Sequence, residues 1–270
     1  MAVLKALRQT PVALLHNPIV FVPILVLILL QLPQLLLQAV DPLLASVVSL
    51  GISLLLIVLV PFFQGGIVGM ADEALDGRTS LDSFLREGKS NYVSVLAASL
   101  VLVAVNFVLG FVAFFVAIFG GFAILSDTGV GIGIVGLVII GLIGALVILA
   151  YLLFVFFVQF YSQAIVVDDL GAVDGLKHSI SVVRHHLVST LGYSVLVGIL
   201  GGVAGGVFGI ASLLSSPQST SALALPEVSL AGVVGVTLLV IAFGTLFGGF
   251  FGVYSVAFYR TINPGVTDGA

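Results

Sequence analysis

The chain has 270 residues, of which 60% are hydrophobic and 7% charged, with a net charge of −4 and no cysteine. A water-soluble domain needs about 25% charged residues to cover its surface, so the composition excludes that class and points to an all-α, polytopic membrane protein. The lack of cysteine removes any disulfide framework, iron–sulfur cluster or thiolate metal site. Eight Lys/Arg against twelve acids argue against a nucleic-acid partner.

Met1–Asn17 places Leu4, Leu7, Pro11, Leu14 and Leu15 close to one helical face and carries Lys5, Arg8 and His16. It reads as an amphipathic helix lying on the membrane surface. The following apolar run, Ile19–Leu37, is too long for the core of a signal peptide and is expected to be the first span. Leu43–Met70 is the second. The polar stretch Ala71–Ser90 follows, in which Thr79-Ser80-Leu81-Asp82 fits a capping box. From there Leu81, Phe84, Leu85, Gly88 and Tyr92 line one face of a second amphipathic surface helix. Val93–Leu125 and Val130–Val167 are the third and fourth spans, read as long tilted helices. A third polar island, Val166–Leu187, precedes the fifth span, Leu187–Leu214. The polar loop Ser215–Glu227 leads to the sixth, Val228–Tyr259. All six are read as parts of one integral membrane domain over residues 1–270.

Six spans put the N-terminus, Ala71–Ser90, Asp168–His186 and the C-terminus on one side of the membrane. All eight Lys/Arg lie in those segments. The loops around Asp41, Asp127 and Ser215–Glu227 have none. By the positive-inside rule the charged side, with both termini, faces the cytoplasm of a cell membrane. The unit of surface segment, span, outer turn and span occurs three times. Phe62-Phe63, Phe156-Phe157 and Phe250-Phe251 mark the ends of the even spans, although Phe114-Phe115 falls outside that pattern. A threefold internal repeat is one reading of this order, and chance pairing in a Phe-rich chain is the other.

No span carries a charge at its middle, which argues against a proton-coupled pump or a voltage sensor. The neutral polar residues Asn106, Gln159 and Tyr161 remain inside the spans, as interhelical hydrogen-bond partners or as the lining of a polar cavity. Gly198, Gly202, Gly206 and Gly244, Gly248, Gly252 form small-xxx-small stripes, so spans five and six are expected to pack backbone to backbone, with an oligomer or partner face as the alternative. The third polar island holds three of the four histidines. On a helix, Val173, Leu176, Ile180, Val183 and Leu187 form its apolar stripe. Asp174, His178 and His185 share the opposite face, and a solvated face is the plainer reading of that set than a metal site. Asp168 and Asp169 are expected to cap the start of that helix. Asp168, Asp169, Asp174, His178 and His185 are thus the candidate functional surface. The sequence has no H-E-x-x-H, G-x-S-x-G or P-loop, and no catalytic, metal or cofactor residue is assigned.

Three places carry a resemblance: Ala6-Leu7-Arg8 through Asn17-Pro18, Gly175-Leu176-Lys177-His178-Ser179 through Arg184-His185-His186-Leu187, and Tyr259-Arg260. With six spans and surface helices before the odd ones, the chain resembles haloarchaeal membrane proteins of unknown function related to the membrane domain of glycerophosphoryl diester phosphodiesterases. In that family the phosphodiester chemistry belongs to a separate soluble domain, for which this chain has no room, so the resemblance implies no catalytic residue. The expectation is a non-enzymatic membrane scaffold or accessory subunit in contact with membrane lipids. The alternatives are a transporter component for a small or lipidic substrate and, third, a lipid-modifying enzyme using Asp168, Asp169, Asp174 and His178.

Overall fold

A computed structural model describes residues 2–38, 42–125, 134–215 and 230–263. Among the described residues the chain is helical with no strand. The helices are α1 (Ala2–His16), α2 (Phe21–Gln38), α3 (Pro42–Asp76), α4 (Leu81–Ser90), α5 (Tyr92–Leu125), α6 (Ile134–Val158), α7 (Tyr161–Val167), α8 (Ala172–His185), α9 (Leu187–Ser215) and α10 (Leu230–Ile262). Among the described residues five helical stretches are long and apolar enough to cross a membrane: Ser46–Asp76, Tyr92–Gly121, Val138–Val167, Leu187–Ile210 and Val234–Ile262. A sixth is reached when the bent pair Ala2–His16 and Pro18–Pro33 is taken as one span. The turns expected around Asp41, around Asp127 and over 216–227, with the residues after Asn263, lie outside the described residues.

The sharpest bend is local in origin. Pro18 disfavours helical backbone at the residue before it, and Asn17 sits at φ −130°, ψ 63°. A short 3-10 turn, Pro18–Val20, restarts the chain at 93° to α1. Asn17 is buried and fixes this corner. Its amide donates to Ala13 O (3.0 Å) and Gly77 O (2.8 Å), and its carbonyl accepts from Thr79 N (3.0 Å). One side chain thereby ties the α1–α2 corner to the α3–α4 turn. Gly77 supplies the φ of +152° that this turn requires.

Thr79 is used for that tie, so the cap of α4 falls one residue later than the expected capping box. Ser80 Oγ accepts from Ser83 N at 3.3 Å. Phe84 of α4 packs edge-on against Phe62 and Phe63 of α3, with centroids 5.4 and 5.3 Å apart. Only glycine at 66 permits this approach, because a Cβ there would collide with the Phe84 ring and come within 2.7 Å of its carbonyl oxygen.

The fourth span is broken where the sequence reads as continuous. α6 ends at Val158, and α7 starts at Tyr161. A buried hydroxyl from α8 takes up both backbone groups released there. Ser179 Oγ donates to Phe157 O (3.0 Å) and accepts from Phe160 N (3.2 Å). Insertion of a side chain into the helical ladder is a recognised cause of a kink.

The second half of α10 is the pillar of the molecule. Val253, Tyr254, Val256, Ala257, Phe258, Tyr259 and Ile262 are all buried. Around them pack Ala6 of α1, Phe160 and Ala164 of the α6–α7 region, Val182 and Val183 of α8, and Tyr193 of α9. α1, α4 and α8 pack at the end of the bundle where α3, α7 and α10 finish and α5 and α9 begin.

The expected backbone packing of the two glycine-rich spans is not what forms. A Cβ at Gly198, Gly202 or Gly206 of α9 would meet nothing within 4 Å. Gly244, Gly248 and Gly252 of α10 approach Ile28 of α2, Ile24 of α2 and Ile67 of α3. Phe208 of α9 also reaches Gly244, but through a ring and not through backbone. The stripe of α10 is filled by branched side chains of its other neighbours, which leaves that of α9 open.

Candidate functional site

At the charged end, the short turn between α7 and α8 is organised by the end of α7. Leu170 N donates to Ile165 O at 3.1 Å, and Asp169 takes the left-handed φ of +51°. This is a Schellman-type C-cap. Asp168 and Asp169 therefore close α7 and do not cap α8, whose N-cap is Gly171. The reason is spacing, since the residues 168–171 are consumed by the turn before α8 begins.

That turn aims Asp168 inward. Its Oδ2 accepts from the Tyr259 hydroxyl and from Asn263 Nδ2 (3.1 Å), and His178 Nε2 lies 3.2 Å from it. Asn263 also contacts Tyr259 Oη (3.2 Å) and His178 Nε2 (3.3 Å). The second oxygen, Oδ1, is buried without a hydrogen-bond partner. Asp168 and His178 are thus brought together, with two C-terminal residues that the sequence reading did not select. Tyr259 and Asn263 are one helical turn apart at the end of α10, and that spacing was the available signal.

The remaining candidates lie elsewhere. Asp174 pairs with Lys177 at 3.7 Å, both well exposed. His185 is exposed and bonds to Ser181 O at 2.7 Å in its own helix. Asp169 is exposed. Among the described residues no three His, Cys, Asp or Glu side chains are placed to hold a metal ion. The face of α8 is also rotated from the expected stripe. Gly175, Ser179, Val182 and Val183 are buried, while Val173 and Leu187 are exposed. A Cβ at Gly175 would run into Ile165, so small residues set part of the contact face, and the two ends of the apolar stripe face outward while Val183 stays buried.

A second polar group adjoins the first. Arg260 Nε lies 2.9 Å from Asp72 Oδ1, and its two terminal nitrogens reach both oxygens of Asp76 at 2.8 and 2.6 Å. Asp72 and Asp76 end α3, where acids oppose the helix dipole. The guanidinium from α10 offsets them with a planar, bidentate contact. On α4, Arg86 is bonded to Glu87 and Glu73, which raises its pKa above the ordinary arginine value.

Further along the spans, polar side chains are spent on one another. Tyr161 Oη donates to Gln64 Oε1 (2.9 Å) and lies 3.4 Å from Ser99 Oγ. Gln159 accepts from Ser194 (3.1 Å), and Gln163 donates to Ser255 (3.0 Å). These bonds link α3, α5, α9 and α10 to the α6–α7 break. Asn106 is not part of that network. It is exposed, and its amide donates to Leu102 O of its own helix at 2.8 Å.

A family model described as a domain of unknown function, DUF7847, matches residues 1–262, and the chain belongs to that family. Comparison with curated proteins finds no match, and neither does comparison with solved structures.

Proposed function

We propose that this member of the DUF7847 family is a non-enzymatic membrane scaffold or accessory subunit of the cell membrane. Both termini and α1, α4 and α8 face the cytoplasm, in keeping with six of the eight Lys/Arg in those helices, Arg78 in the α3–α4 turn and Arg260 at the end of α10. One observation carries the reading: the polar side chains at the charged end and between the spans are bonded across helices, in a way that stiffens the bundle. The link among Asp168, His178, Tyr259 and Asn263 joins α7, α8 and α10, and Arg260 joins α10 to α3. What this bundle presents outward is the exposed row of Asp174, Lys177, Arg184 and His185 on α8, as a surface for another membrane protein. The resemblance to haloarchaeal proteins related to the membrane domain of glycerophosphoryl diester phosphodiesterases fits a part that works beside a separate functional unit.

The test is purification of the full chain from native membranes beside a variant carrying Asp174→Lys, Lys177→Glu and Arg184→Glu. A stoichiometric partner held by the first and lost from the second is the expected result. Hydrolysis of a lipid phosphodiester by the pure chain would overturn the reading. Transport of a lipidic substrate is the second reading. It draws on an apolar cavity of about 340 Å³ between α5 and α6, lined by Phe111, Phe115, Phe119 and Ile140 among others. Lipid movement in proteoliposomes above that of empty vesicles would favour it.

A further inference from the structure

Beside the Arg260 cluster lies an open groove of about 810 Å³ between α1, the end of α3 and the end of α10. Its size falls within the range of small-molecule sites, roughly 300–1,000 Å³. Lys5, Arg8, Arg78 and Arg260 line it. Asp76 is the one acid among the lining residues, and both its oxygens are already bonded to Arg260. Lys5, Arg8 and Arg78 have no ion-pair partner among the described residues. Three cations without an ion-pair partner among the described residues therefore surround one opening.

The helix that supplies two of them is built for a membrane surface. α1 turns 93° from the segment that follows it. Its Thr10, Ala13 and Leu14 are buried, whereas Leu4 and Leu15 are 53% and 82% exposed. Leu4, Pro11 and Leu15 recur at helical spacing on the outer side beside Arg8, so an apolar strip flanks the cationic groove. Arginine at such a position buries its stem among acyl chains and keeps its head with the polar groups. Guanidinium and ammonium groups around one cavity match the oxygens of a phosphate. The apolar strip beside it matches a ligand whose other end is hydrocarbon.

We infer that this groove binds the phosphate group of an anionic lipid headgroup. The inference stands on the groove and α1 and is independent of the scaffold reading. It is tested by native mass spectrometry of the full chain in detergent, titrated with phosphatidylglycerol and, separately, with phosphatidylcholine. The wild type retains phosphatidylglycerol preferentially. Combining Lys5→Gln, Arg8→Gln and Arg78→Gln weakens that binding on the order of 100-fold, and each single change weakens it about fivefold. Lys89→Gln on α4, outside the groove, leaves it unchanged, and Arg8→Lys keeps most of it. The melting temperature of the triple variant in lipid-free detergent matches the wild type, because none of the three cations has an ion-pair partner to lose among the described residues. Equal retention of the two lipids, or undiminished phosphatidylglycerol binding by the triple variant, would overturn the inference. Displacement of phosphatidylglycerol by millimolar inorganic phosphate would assign the groove to the free anion and overturn the lipid as its source.

Discussion

The two ends of the same long helices differ more than any two helices do. At the charged end α3, α7, α8 and α10 interlock through buried aromatics, close glycine contacts and paired charges. Toward the opposite end the helices keep apolar side chains on most faces without burying them. Phe107, Phe111, Phe114 and Phe119 of α5 are all exposed, and the most apolar stretches of Tyr92–Gly121 and Val138–Val167 contain no buried residue. In water such surface would drive collapse. In lipid it has little reason to, because acyl chains are as apolar as leucine and phenylalanine. The difference shows where the specificity of a membrane fold is located: in the polar and closely packed zone, where wrong arrangements leave charges and backbone groups unpaired.

The comparison breaks most visibly at Arg260. Arg260→Ala leaves Asp72 and Asp76 without their cation and should cost about 2–3 kcal/mol, read as a fall in melting temperature in detergent. Asp72→Asn with Asp76→Asn in the same chain should recover part of that loss. Two glycines sharpen the contrast directly. Gly66→Ala pushes a methyl into the Phe84 ring and should destabilise by about 1–3 kcal/mol. Gly205→Ala, with nothing within 4 Å, should stay within about 0.5 kcal/mol of wild type. An equal effect of the two would mean that the far half of α9 is packed after all. Ser179→Ala removes the hydroxyl that serves Phe157 O and Phe160 N. A loss of about 1–3 kcal/mol is expected, with faster amide exchange around Phe160. Asn106→Leu should be the smallest, within about 0.5 kcal/mol, since its amide bonds only within its own helix.

Several elements were legible from the residues alone. The surface helices before the long ones follow from charge clusters and from amphipathic spacing. The long spans follow from unbroken apolar runs. The break at Gln159-Phe160 was not legible, because its cause is a serine nineteen residues away in sequence from Phe160. The contact face of α8 was misjudged for a related reason. In water the apolar stripe marks the buried side, but here the small residues Gly175 and Ser179 pack inward with Val182 and Val183, while Val173 and Leu187 at the ends of the stripe face outward. Of the candidate surface, Asp168 and His178 meet, and their partners Tyr259 and Asn263 lie more than eighty residues away.

Composition by itself determined the class: with 7% charged residues, the chain has too few polar groups to face water, and every apolar run of sufficient length becomes a helix that satisfies its own backbone. Charge placement determined which segments gather at one end. Only the tertiary structure decided which helix is central, which glycines are filled, and which acid meets which donor. These depend on side-chain shape across helices that no local pattern records. α10 became the pillar because its glycines admit α2 and α3 while Tyr259 and Arg260 find acids at the end of α7 and on α3. The equally glycine-rich stripe of α9 found no such neighbour.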